Sequence, residues 1–176
     1  SLTVIRSSTN GRPSVGDLSS GNVIRIQRGR YVRIHRSGPP MTYWEIWALV
    51  ARARLLVVSD SSSCFPIFVG ASSFVARSIP LWEANPDVVI WCASRHGRRS
   101  MPAVTMQTVT IPSTFVCSTV KKPCECNIEI VDRLRCESVV EAAVRMACYS
   151  ARLSGFVAIC MALRHESRFV LLSPEE

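Results

Sequence analysis

Between residues 23 and 36 the chain reads VIRIQRGRYVRIHR, five arginines with no acid among them. A guanidinium is always charged and presents a planar fork of donors that fits phosphate oxygens. Arginines at this density therefore suit contact with a nucleic-acid backbone, the commonest polyanion a protein meets. The candidates for DNA binding are Arg25, Arg28, Arg30, Arg33 and Arg36. The competing reading is a solvated, arginine-rich strand edge that resists aggregation. A second basic group, Arg95, Arg98 and Arg99 around His96 and Gly97, is either a further DNA contact or a solvated turn.

Other residue types capable of chemistry do not fall into diagnostic patterns. His35, His96 and His165 have no carboxylate or nucleophile at a telling spacing, and the serines of DSSSC lack a nucleophile-elbow context. No glycine loop suited to cradling phosphate and no cluster of metal-binding carboxylates is present. Of eight cysteines, several sit in apolar runs such as VVIWCAS, RMACYS and FVAICMAL, where cysteine acts as a small buried hydrophobe. Cys117, Cys124, Cys126 and Cys136 form the one group that invites a zinc reading, but their spacing lacks the paired ligands of structural sites. The expectation is a non-enzyme without cofactor or metal, whose cysteines are reduced.

The basic residues need an element to hold them. Ile24, Ile26, Val32 and Ile34 alternate on either side of Arg28-Gly29-Arg30, the pattern of a β-hairpin. A three-residue loop at 28 to 30 pairs Ile26 with Val32 and Ile24 with Ile34, which keeps the apolar set on one face. In that register Arg25 faces Arg33 on the solvent side, a like-charge pair that an anion would relieve. Residues 1 to 22 read as loop with at most one short element.

Downstream, Thr42 and Glu45 form a capping box ahead of a helical stripe of Tyr43, Ile46, Trp47, Val50 and Ala51. Arg52 and Arg54 then fall near the helix end, with LLVV at 55 to 58 leading into a serine-rich loop. GASSFVARSIPLW reads as a short helix stopped near Pro80, and VVIWCAS as a buried strand. Strands are expected around 102 to 111, 114 to 120 and 127 to 131. A second capping box, Ser138 with Glu141, opens a helix to about 152, and Ser154-Gly155 breaks the chain before a last helix, FVAICMALRH. The fold class is α+β: a partly winged-helix-like basic hairpin, then a small mixed sheet packed with helices.

Composition frames these pieces. The 176 residues are 48% hydrophobic and only 19% charged, enough to bury a core. No apolar run approaches the roughly 20 residues of a membrane span, and the start shows no signal pattern, so no membrane partner and a cytoplasmic location are expected. Of the net charge of +8, residues 1 to 36 hold seven Arg against one Asp. That asymmetry divides the chain into a basic segment, 1–40, and a near-neutral body, 41–176.

The order of pieces also resembles a known family. VIRIQRGRYV, a Trp-Ala-Leu helix, a small-residue helix ending in a Leu-Pro-Leu-like step, IEIVDRLRCESVVEAAVRMACYS and FVAICMALRH together resemble the AbiEi-type antitoxins of type IV toxin–antitoxin systems, over roughly residues 23 to 166. The resemblance implies a winged helix-turn-helix whose wing is the basic hairpin, followed by an α/β domain. It also implies binding to operator DNA, regulation of a toxin–antitoxin (abortive infection) operon, and a nucleotidyltransferase-like toxin as partner. The same front end occurs before Vsr-like endonucleases, so a non-catalytic DNA-positioning domain is one alternative. A toxin-binding module without DNA contact is another. Against the family pattern, Arg145 and Cys160 stand where it has helical acids.

Overall fold

A computed structural model describes residues 1–7, 13–19, 21–35, 39–93, 97–119 and 121–170. Its elements are, in chain order, β1 (Leu2–Arg6), α1 (Val15–Ser19), β2 (Val23–Gln27), β3 (Arg30–Ile34), α2 (Tyr43–Ser61), β4 (Ile67–Phe68) and α3 (Ala71–Ala76). There follow β5 (Val88–Trp91), β6 (Arg99–Met101), β7 (Val104–Met106), β8 (Val109–Ile111), β9 (Thr114–Ser118), β10 (Ile128–Val131), β11 (Leu134–Glu137), α4 (Val139–Tyr149) and α5 (Arg152–Val170). The class is α+β. The first three strands form an antiparallel sheet in the order β1-β3-β2, and six others form a mixed sheet, β10-β11-β4-β5-β9-β6. Strands β7 and β8 pair separately as a small hairpin.

Helix α2 begins as its sequence indicates. Thr42 Oγ1 accepts from the Glu45 N–H at 3.3 Å, and the Glu45 carboxylate accepts from the Thr42 N–H at 2.8 Å. The helix then runs well past the expected end and takes LLVV into its fourth and fifth turns. Leu55, Val57 and Val58 are fully buried, as are Ile46, Val50 and Ala53. A helix that is apolar on several sides must be covered on several sides, and α2 packs against β1, β2 and β3 as well as β8, β11 and α3. Arg54 is consequently a mid-helix core residue rather than a helix-end cation. One core cluster joins Ile24, Ile26, Val32 and Ile34 to Val50, Phe68, Ile90 and Leu134, so the basic segment and the body share their packing.

Three further expectations are corrected. Helix α5 starts at Arg152 and passes straight through Ser154 and Gly155. The glycine is there for close approach: a Cβ on it would lie 2.8 Å from the Ala147 Cα of α4. Cys64 and Cys92, expected as thiols, form a disulfide with Cα atoms 6.5 Å apart. The antiparallel pairing of Ile67 with Trp91 brings the two flanking segments together. The second capping box is half made: Ser138 Oγ accepts from the Glu141 N–H at 3.2 Å, but the Glu141 carboxylate turns to the Cys124 N–H at 3.0 Å.

Candidate nucleic-acid interface

The hairpin exists, with a different register from the one its alternation suggests. Gln27 pairs with Arg30 around a two-residue turn, Arg28-Gly29, and Gly29 takes the left-handed conformation at φ 72° that glycine adopts freely. Ile26 is then an extra residue, a bulge, beyond which Arg25 pairs with Tyr31 and Ile24 with Val32. The bulge lets a two-residue turn coexist with Ile24, Ile26, Val32 and Ile34 all in the main core. Alternation alone favours the longer loop because it cannot register an inserted residue. Arg33 faces Val23 on one side and Thr3 of β1 on the other, so the expected Arg25–Arg33 pair is diagonal rather than direct.

The outward face is also not purely polar. Ile5, Val23 and Tyr31 form a small second cluster there, and Leu18 of α1 packs against it. Helix α1 is set by Ser14, whose Oγ accepts from the Asp17 N–H at 3.0 Å and donates to the Asp17 carboxylate at 2.8 Å. The hydrogen bonds from Ser14 hold the Asp17 carboxyl below the ordinary carboxylate range, and the field of Arg33 adds to this. A strand and a five-residue helix are thus what precede the hairpin among the described residues.

The arginines separate by their partners. Arg6 donates from Nε to both Asp60 carboxylate oxygens, at 3.0 and 2.9 Å, and from Nη2 to Oδ1 at 2.6 Å. Arg30 approaches the same carboxylate at 3.3 Å. Asp60 thereby ties the edge strand and the hairpin tip to α2. By contrast, Arg25 and Arg28 are exposed and have no ion-pair partner among the described residues. Arg33 is exposed too, with Asp17 the acid whose field it meets. Arg36 and Arg95 lie outside the described residues. Arg98 stacks over the Phe115 ring at 3.6 Å and stands 3.7 Å from Asp87, and Arg99 opens edge strand β6 opposite Val116. Arg98 and Arg99 therefore lie at a different sheet from the hairpin, with Arg98 already engaged. Sequence reasoning missed Arg6 and Asp60, which are 54 residues apart and carry no local signal of their pairing.

Glu137 is fully buried, yet its carboxylate accepts from Arg145 Nε at 3.0 and 2.9 Å and from the Gly70 N–H. That arrangement fastens α4 to β11 and to the start of α3. Cys124 and Cys126 Sγ atoms are 2.9 Å apart on an exposed 3-10 turn, Cys117 Sγ faces Asp87 at 3.6 Å, and Cys136 is buried in β11. Among the described residues no three His, Cys, Asp or Glu side chains are grouped to hold a metal. No described helix is long and apolar enough to cross a membrane. In comparison with known proteins, no family model, curated protein or solved structure matches the chain.

Proposed function

We propose that the chain is a non-enzymatic, DNA-binding protein that lies against duplex phosphates through Arg25, Arg28 and Arg33. The observation that carries this is the contrast within the cluster. Arg6 and Arg30 have Asp60, whereas Arg25 on β2 and Arg28 in the turn are exposed, with no acid set against them among the described residues. Surface charges gathered without counterions raise a self-repulsion that a polyanion removes. The sheet is anchored to α2 through both its core face and the Asp60 network, so its arginines are held in fixed positions.

Arginines that project from a strand and its turn meet phosphates before base edges, so contact is chiefly with the backbone. The role as an antitoxin-like regulator of a toxin–antitoxin operon, with a nucleotidyltransferase-like toxin as second partner, rests on the sequence resemblance. A titration of labelled duplex with the parent and with Arg25→Ala/Arg28→Ala tests the binding. Binding at low salt that weakens in the double variant supports the reading; equal binding by both proteins overturns it.

A further inference from the structure

Helices α4 and α5 pack side by side through small residues. Ala143 and Ala147 face Gly155, Ala158 and Ala162, and Met146 and Ser154 turn toward the rest of the protein. Further round each helix, on the side away from the core, the residues become large and apolar while remaining open to solvent. On α4 these are Val140 and Val144. On α5 they are Leu153, Phe156, Ile159 and Leu163, of which Phe156 and Leu163 are each 65% exposed. Scattered exposed leucines need no explanation, but a continuous apolar face across two helices marks a docking surface.

We propose that a second copy of this chain covers that face, with the two α5 helices antiparallel about Ile159 and Cys160. Three observations favour the copy over another occupant. The spacing of Leu153, Phe156, Cys160 and Leu163 is 3-4-3, the narrow seam by which one helix packs along another of its kind. The arrangement is self-complementary under a two-fold axis: Phe156 of each chain meets Leu163 of the other, as an isologous interface requires. Arg152 at one end of the exposed face then lies beside Glu166 at the other end of the partner helix, so the terminal charges are opposite.

Light scattering on the eluting protein, at concentrations up to roughly 100 µM, tests the proposal. The parent should run at twice the chain mass of 19.5 kDa. Phe156→Asp/Leu163→Asp should return to one chain mass with an unchanged helical spectrum, and Phe65→Asp, a still more exposed apolar site outside α4 and α5, should stay dimeric. A parent that remains one chain in mass overturns the proposal, and so does loss of the dimer in Phe65→Asp. A charge-free check uses Cys160, which is exposed in the single chain. With Cys124, Cys126 and Cys148 changed to serine, a short bismaleimide should join Cys160 to its counterpart. A dimer that gives no such cross-link overturns the antiparallel arrangement.

Discussion

Arg54 donates to Asn85 Oδ1 at 2.6 Å and to the carbonyls of Pro102 and Pro112 at 3.2 and 2.7 Å, with no carboxylate against it among the described residues. Only 1% of it is exposed, and burial pushes its pKa down to about 10. A guanidinium suits this site because its two terminal nitrogens, held in one plane, reach three oxygens fixed on separate segments, a geometry that lysine's compact ammonium on its flexible stem does not match. Arg54→Lys should therefore destabilise the fold by about 2–3 kcal/mol, read as a lower urea midpoint with unchanged slope. An unchanged midpoint contradicts the clamp. Cys136 gives a prediction in pH. Burial pushes its thiol from an ordinary value near 9 up to about 12, so the native chain holds this proton more tightly than the unfolded chain. The resulting stability is complete below pH 9 and is lost as pH rises toward 12. Denaturant midpoints of the parent should fall more steeply above pH 9 than those of Cys136→Ala. Parallel curves would rule this out.

At the level of elements, the hairpin divides its charges between fold and solvent. Arg28→Ala should leave stability within about 0.5 kcal/mol, as for most surface changes, whereas Arg30→Ala releases one side of Asp60 and should cost up to about 1 kcal/mol. Thermal melts of the two variants check this, and equal melting temperatures count against the Asp60 tie. What the sequence discloses, and what it hides, follows physical lines. The α2 capping box is a local interaction between residues three apart, and Thr42 and Glu45 announce it. That the chain reverses around Gly29 is legible for the same reason, although the turn is two residues long and not the expected three. The bulge at Ile26 is not, because it depends on how β3 pairs across the sheet. Strand β1 escapes notice since LTVIR becomes a strand only through partners some thirty residues away. Gly155 reads as a breaker because sequence shows its low helix propensity but not the neighbouring helix that needs its missing Cβ. Of the candidate site, the cluster of arginines is visible. Which of them are free is not, because Asp60 arrives from α2.

For the molecule as a whole, the charge pattern and the packing point to two separate surfaces. The basic one belongs to the three-stranded sheet, and the apolar one belongs to α4 and α5, which share a different core cluster. Six of the eight net positive charges fall in residues 1 to 36, so association with a polyanion should be governed by that end and by counterion release. The proposed DNA-binding face is tested most directly by the affinity for labelled duplex as a function of salt, for the parent and for Arg25→Ala/Arg28→Ala/Arg33→Ala. Affinity should fall linearly with salt in log–log form, and the slope should shrink by about one for each phosphate that the variant no longer neutralises. The melting temperature of the triple variant should meanwhile stay near that of the parent. A parent that fails to bind at low salt, or a triple variant with the parent's affinity and slope, would show that the arginines are a solvated edge and not a DNA-binding face.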